Sequence, residues 1–113
     1  MEVQVRCSEK RADVYIIGID GRIDTHTAAE VEKELEVLKK DNAANLVVDF
    51  TKVNYISSGG LRVFLTALKW TRANSGDLKL ASLVPNVEKI FKLAGFTKIF
   101  NIMDDVNAAI DAF

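Results

Sequence analysis

Two adjacent serines are the residues of this chain whose types and spacing could do chemistry. Ser57 and Ser58 come shortly after an apolar run that ends at Asp49, and Gly59 and Gly60 follow them at the start of an amphipathic pattern. This order predicts a strand, a short connection and the N-terminus of a helix. A hydroxyl there can cap the helix, and it also lies where the helix dipole favours a phosphate. A capping role and a modified serine are therefore both open.

The rest of the chain gives these serines little catalytic support. His26 is the one histidine, and nothing in the sequence places it beside Ser58 together with an orienting acid. The Gly59-Gly60 pair has neither the spacing of a dinucleotide-binding loop nor that of a P-loop. Cys7, the single cysteine, is interpreted as a small buried hydrophobe. We expect no enzyme activity, no cofactor and no metal site, although a Mg²⁺ site of carboxylates alone is left open.

Length and composition indicate one globular domain over residues 1–113. The 113 residues are 49% hydrophobic and 27% charged, with a formal net charge of -1. Basic residues are spread among acidic ones, which argues against nucleic acid or an anionic membrane as the main partner. The N-terminus lacks the apolar stretch of a signal peptide, and no run approaches the roughly 18 apolar residues of a membrane span. We therefore expect a cytoplasmic protein without direct membrane insertion.

The hydropathy pattern predicts an α/β fold with the order β-β-α-β-α-β-α-β-α, a mixed sheet packed with about four helices. The predicted strands are residues 3–7, 14–19, 46–50, 78–83 and 98–102, with a break at 20–22. The predicted helices begin near residues 27, 58, 85 and 106. The first two strands should form a hairpin. Gly95 should close the third helix, with Ala94 facing inward, and Asp104-Asp105 should cap the fourth.

The start of the first helix has alternative caps. Thr27 and Glu30 have the spacing of a capping box, but Asp24 or Thr25 could be the true N-cap. By its position Asp24 is a cap more readily than a functional acid.

A second strip on the central helix also has two interpretations. Trp70, Val63 and Ala67 lie off the main apolar stripe. They could widen the side of the helix that faces the core, or form an apolar patch for a partner.

Two motifs resemble those of a known family. The segment VDFTKVNYISSGGLRVFL resembles the signature of the STAS domain, the fold of anti-sigma-factor antagonists. GRIDTHTA resembles the family's second motif, a G-[ED]-[LIV]-D stretch that opens the first helix. The resemblance extends through residues 78–100 and so covers essentially the whole chain.

The resemblance implies a small switch protein without catalysis of its own. In such families the unphosphorylated protein binds an anti-sigma factor that is also a GHKL-type serine kinase, and this frees the sigma factor. The phosphorylated form does not bind, and a PP2C-type phosphatase resets it.

Individual residues match the family's functional positions. Ser58 matches the phosphoacceptor, and Asp24 matches the motif aspartate near it. The positions that match the partner-facing surface are Ser57, Gly59, Gly60, Arg62 and Val63. Three of these depart from the common pattern. Ser57 replaces a frequent aspartate and becomes a rival acceptor, Gly59 stands where serine, threonine or alanine is common, and Arg62 stands where many members carry glycine. The Arg62 charge could pair with a phosphate on Ser58.

Other functions of the same fold are also considered. The chain could be a constitutive accessory subunit of an ABC-type membrane transport system, bound to its cytoplasmic ATPase, with a serine that is never modified. Nucleotide binding around Asp24 and Ser58 is a third hypothesis. The near-neutral charge and the Trp70 strip leave a weak homodimer open.

Overall fold

Five strands form one mixed sheet in the order β1-β2-β3-β4-β5 in the computed structural model, which describes residues 2–113. The strands are β1 (Glu2–Cys7), β2 (Tyr15–Ile23), β3 (Asn45–Ile56), β4 (Asp77–Ala81) and β5 (Asn101–Met103). The helices are α1 (Ala28–Lys40), α2 (Ser58–Ala73), α3 (Pro85–Leu93) and α4 (Val106–Asp111). Strand β1 is antiparallel to β2, and the other pairs are parallel. The predicted fold class, element order and hairpin are confirmed.

The two faces of the sheet bury different helices, because successive strand residues point to opposite sides. Ile17 and Ile19 of β2 belong to the larger core, which contains the apolar stripes of α1, α2 and α3. Ile16 belongs to a smaller cluster on the other face with Ala109 and Ile110 of α4. Three helices therefore hold one face of the sheet, and α4 covers part of the other.

Strands β2 and β3 are longer than the sequence predicted. The expected end of β3 at residue 50 is wrong, since the strand continues to Ile56 in parallel pairing with β2. The expected break at residues 20–22 is likewise wrong, because β2 passes through it with two register shifts and Gly21 at φ 119°. Such bulges let a strand cross a polar stretch without ending. Both strands thereby reach the start of α2.

Smaller differences lie at the edges and ends of the sheet. Cys7 is exposed at the end of edge strand β1, so its interpretation as a buried hydrophobe is wrong. Gly95 closes α3 at φ 77°, as predicted, but Ala94 is exposed rather than inward. A 3₁₀ turn, Phe96–Lys98, follows and delays β5 to Asn101. The predicted cap of α4 is confirmed, because Asp105 accepts a hydrogen bond from the Ala108 N–H at 2.8 Å.

Candidate functional site

The candidate site forms where β2 and β3 end side by side. The Ser57 N–H donates to the Ile23 carbonyl at 2.8 Å, which joins the last residue of β2 to the residue before α2. Parallel neighbouring strands end at the same edge of a sheet, so the segments that follow them are neighbours. A Cβ at Gly59 would lie 3.5 Å from Thr25 Oγ1. The turn that contains Asp24 therefore lies against the N-terminus of α2.

The two serines have different structural roles. Ser57 is the N-cap of α2, since its Oγ accepts a hydrogen bond from the Gly60 N–H at 3.2 Å, and it is only partly exposed. Ser58 is the first residue of the helix and is exposed. Of the two cap candidates in the sequence, Ser57 is thus the cap. Ser58 is therefore accessible at the helix N-terminus, where the dipole is positive.

Gly60 lets the first turn of α2 rest directly on the ends of the two strands. A Cβ at this position would lie 2.8 Å from both Ile23 Cγ2 and Ile56 Cγ1, closer than carbon atoms pack. Both isoleucines are buried in the core. Gly60 is therefore required for packing, and it sets the depth at which Ser57 and Ser58 are held.

Asp24 is held in place by reciprocal hydrogen bonds with Thr27. Asp24 Oδ1 accepts from the Thr27 N–H at 2.9 Å, and Thr27 Oγ1 accepts from the Asp24 N–H at 2.9 Å. Thr27 is the N-cap residue of α1 but makes no side-chain cap bond, so the Thr27-Glu30 capping box does not form. The capping-type hydrogen bond is the one that Asp24 Oδ1 accepts from the Thr27 N–H, just ahead of the helix. The backbone N–H of Thr27 is the main reason that the pKa of Asp24 lies below its ordinary value, with smaller contributions from the Thr27 hydroxyl, the His26 N–H and Arg22. Asp24 is therefore a fixed carboxylate.

Arg22 and Tyr55 belong to this edge and were missed by the sequence analysis. The Arg22 guanidinium carbon lies 4.1 Å from the centre of the Tyr55 ring, and Arg22 Nε lies 4.0 Å from Asp24 Oδ2. The two residues are paired in the sheet where β2 and β3 run together, a stretch that the sequence analysis assigned to a break and a connection. The signal that could have found Tyr55 is the alternation of polar and apolar or aromatic residues at 52–55. The stacked arginine places a cation beside the serine loop.

Arg62 and Val63 lie one turn further along α2 and face different ways. Arg62 is exposed, on the same side of the helix as Ser58 because the two are four residues apart. Val63 is partly buried, packs against the core and lines a small crevice towards α1. Ala67 is buried and Val63 packs against the core, so these two residues widen the side of α2 that faces the core, while Trp70 is half-buried.

The N-terminus of α2 favours negative charge. The first turn of α2 contains no acidic residue, and the N-terminal N–H groups with the dipole stabilise negative charge. Within residues 2–113 no three histidine, cysteine or carboxylate side chains lie together in a way that could hold a metal ion. None of the helices in this part of the chain combines the length and apolar character needed to cross a bilayer.

Comparison with known proteins gives relatives for the whole arrangement. The family model of the STAS domain matches residues 7–109. The provisionally assigned anti-sigma factor antagonist BtrV of Bordetella bronchiseptica is 33% identical over 105 residues, 93% of this chain and 90% of that protein. The anti-sigma-B factor antagonist of Listeria monocytogenes is 32% identical over 102 residues, 90% of each chain.

A solved structure with the same fold is the anti-sigma factor antagonist SpoIIAA of Bacillus. Its unphosphorylated form has a TM-score of 0.82 at 19% identity, covering 98% of this chain and 95% of SpoIIAA. Its phosphorylated form has a TM-score of 0.76 at 18% identity, covering 98% of each chain.

Proposed function

The chain belongs to the STAS domain family, and on this premise we propose that residues 1–113 act as one domain that is a cytoplasmic anti-sigma-factor antagonist switched by phosphorylation of Ser58. In the unphosphorylated form it binds an anti-sigma factor that is also a GHKL-type serine kinase, and this binding frees the sigma factor. The phosphorylated form does not bind, and a PP2C-type phosphatase restores it. The names of the relatives from Bordetella and Listeria support this function over a transport accessory subunit.

The observation that carries the proposal is the division of labour between the two serines. Ser57 is partly buried and its oxygen caps α2 by accepting from the Gly60 N–H, whereas Ser58 is exposed one residue later. A kinase has to bring the hydroxyl oxygen into line with the γ-phosphate of ATP, which requires access from solvent. Ser58 meets this requirement better than Ser57. We therefore propose Ser58 as the acceptor and assign Ser57 a structural role.

The fold should tolerate the phosphate while the partner does not. A phosphoserine adds roughly -1.5 to -2 charge at neutral pH. At Ser58 this charge lies at the N-terminus of α2, where the helix dipole is favourable, and Arg62 is exposed one turn away. A partner surface packed dry on the same residue would lose about 3 to 4 kcal/mol through desolvation and repulsion. At about 1.4 kcal/mol per tenfold, binding would weaken by a factor of several hundred.

The surroundings of Ser58 supply the surface that we propose the partner contacts. Gly59 carries no side chain and leaves the backbone of the first turn open, and Gly60 holds that turn against the strands. Asp24 is fixed beside the turn by Thr27. We propose that Ser57, the exposed Arg62 and the exposed part of Val63 contact the partner together with these residues.

The experiment uses the purified full chain as bait in lysate of the source organism. Ser58→Ala and Ser58→Glu are compared, and Ser57→Ala is the matched control for loss of a neighbouring hydroxyl. We expect the Ser58→Ala and Ser57→Ala baits to retain an anti-sigma factor and the Ser58→Glu bait to lose it. Incubation of the retained partner with ATP and Mg²⁺ should then phosphorylate the wild-type chain and Ser57→Ala, but not Ser58→Ala.

Two results would contradict the proposal. A transport ATPase held equally by the alanine and glutamate baits would favour the constitutive accessory subunit. Phosphorylation that persists in Ser58→Ala and disappears in Ser57→Ala would move the acceptor to Ser57. Circular dichroism of each bait checks that a lost partner does not reflect a lost fold.

A further inference from the structure

The charges of α2 are all of one sign. The helix contains Arg62, Lys69 and Arg72 and no aspartate or glutamate. Arg72 is engaged at the C-terminal end, where its Nε lies 3.1 Å from Asp77 Oδ1 and its Nη2 donates to the Ile99 carbonyl at 2.9 Å. Two cations, Arg62 and Lys69, are left on the exposed part of the helix.

These two cations lie in line with Ser58. Residues Ser58, Arg62, Thr66 and Lys69 are spaced at i, i+4, i+8 and i+11, and all four are exposed. We call these four residues the basic face. Leu61, Phe64 and Leu68, which alternate with them along the helix, are buried in the core. The side of α2 away from the sheet thus begins at the proposed phosphoacceptor and is positive along its length.

Charged residues of neighbouring elements lie beside the basic face at one end and along one side. Beyond the N-terminus of α2, Arg22 is stacked on Tyr55 with 62% of its side chain exposed, and its charge is paired with the Asp24 carboxylate at 4.0 Å. Along the side that faces α1, Glu32 and Glu36 line a crevice shared with Thr66. Glu36 is paired there with Lys39 at 3.2 Å. Since Lys39 lines the same crevice, Glu32 is the acid on this side of α1 that lies outside the Glu36–Lys39 pair.

We infer that the basic face binds an acidic surface of the anti-sigma factor, an inference that rests on the proposed function and names the chemistry of its partner. Charge complementarity is the argument, since an exposed helix side with two free cations and no acid attracts a negative surface and repels a positive one. The position of Ser58 at the start of the basic face also explains how one phosphate could change the charge of the whole face. A charge of roughly -1.5 to -2 on Ser58 would offset much of the positive charge of Arg62 and Lys69.

Binding of the purified anti-sigma factor to four forms of the full chain tests this inference. They are wild type, Ser58→Glu, the double reversal Arg62→Glu with Lys69→Glu, and a control reversal, Lys33→Glu with Lys40→Glu, on the exposed side of α1. The two double reversals change the net charge equally. We expect the α2 reversal to weaken binding about tenfold or more, mainly through the association rate, and the α1 reversal to change it less than about twofold. Raising the salt concentration from about 0.05 to about 0.5 M should reduce the difference in affinity between wild type and the α2 reversal, because salt screens charges.

The possible outcomes separate this inference from the proposed function. Equal effects of the two double reversals would overturn the basic face, even if Ser58→Glu still abolished binding. Loss of binding in the α2 reversal with no effect of Ser58→Glu would support the basic face and overturn the phosphorylation switch. The neutral pair Arg62→Gln with Lys69→Gln should give an intermediate effect, and a full loss there would indicate side-chain packing rather than charge and would contradict the inference.

Two further arms cover other polyanions and the absence of an anti-sigma factor. Duplex DNA binding that matches the anti-sigma factor in strength and is lost in the α2 reversal would replace the acidic protein with nucleic acid and overturn the inference. If the baits retain no anti-sigma factor, the proposed function falls. In that case, retention of the same variants on immobilised poly-L-glutamate at low salt tests whether the basic face binds acidic polymers. Loss of retention in the α2 reversal alone would support the inference. Equal elution of the two double reversals would overturn it.

Discussion

The backbone N–H of Ser57 donates to the carbonyl of Ile23 at 2.8 Å, and this hydrogen bond connects the two segments that form the candidate site. It joins the end of β2 to the residue before α2, 34 positions further along the chain. Because Ile23 precedes Asp24 and Ser57 precedes Ser58, the bond also brings the two motif residues to neighbouring positions. A substitution that displaces the end of β2 should therefore also displace the start of α2, and the reverse.

Substitution of the two serines should separate capping from signalling. Ser57→Ala removes the oxygen that accepts from the Gly60 N–H, so we expect the free energy of unfolding to fall by about 0.5–2 kcal/mol. Ser58→Ala changes an exposed first-turn residue and should alter stability by less than about 0.5 kcal/mol. Urea unfolding of both variants measures the difference. Equal losses, or a larger loss for Ser58→Ala, would contradict the assignment of Ser57 as the cap.

The glycine pair offers a second matched comparison. Gly60→Ala would place a Cβ 2.8 Å from Ile23 Cγ2 and Ile56 Cγ1, and this overpacking should destabilise the fold by about 1–3 kcal/mol despite the better helix propensity of alanine. Gly59→Ala meets only ordinary contacts, the nearest 3.5 Å away, so the propensity gain of up to about 1 kcal/mol should leave it neutral or stabilising. Thermal unfolding of the two variants measures whether each substitution raises or lowers the melting temperature. A Gly60→Ala chain as stable as wild type would show that Ile23 and Ile56 shift without cost to accommodate the added methyl group.

Variants of Asp24 should distinguish its cap from its charge. Asp24→Asn keeps an oxygen that can accept from the Thr27 N–H but removes the negative charge, so the melting temperature should change little. Asp24→Ala removes the acceptor and should lower the melting temperature clearly. Binding of the anti-sigma factor to Asp24→Asn then reports the charge alone. Equal melting temperatures for the two variants would mean that the Thr27 contact contributes nothing to stability.

An ion pair far from the site should govern stability in acid. Lys79 and Asp77 are 3.0 Å apart, with 8% and 16% of their side chains exposed. Burial by itself would raise the pKa of Asp77, but hydrogen bonds from Lys79 and Asn101, the Lys79 charge and a hydrogen bond from Arg72 together hold it below its ordinary value of 3.8. A lowered pKa in the folded state stabilises the protein fully above pH 3.8, and this stabilisation is lost as the pH falls through the folded pKa.

The variant Asp77→Asn tests this pH dependence. Its free energy of unfolding should be below that of wild type at neutral pH, and the gap should shrink as the pH falls below about 4. Urea unfolding between neutral pH and about pH 3 measures the gap. The control is Asp104→Asn, which alters an exposed carboxylate and should have a small effect at every pH. A gap for Asp77→Asn that is constant with pH would mean that its carboxylate does not titrate with folding.

The sequence by itself determined the class of fold, the element order and the position of the serine loop. Hydrophobic periodicity is local, so the stripe of α2 and the alternating pattern of β1 could be read without knowing their neighbours. The helix signals were equally local: Gly95 and Asp105 end and begin helices through bonds within a few residues of themselves. Since the family motif spans the same loop, Ser58 and Asp24 could also be named from the sequence.

Only the tertiary structure decided how these residues are used. The stretches 20–22 and 51–54 are mostly polar or glycine, as turns are, yet the parallel pairing of β2 with β3 and the register shift at Gly21 keep both stretches within strands. Strand pairing between distant segments is not encoded in local propensity. The same long-range pairing brought Arg22 onto Tyr55 and Ile23 to Ser57. Ser57 rather than Ser58 is the cap because its own N–H is bonded to the Ile23 carbonyl at the end of β2, which places its Oγ within reach of the Gly60 N–H.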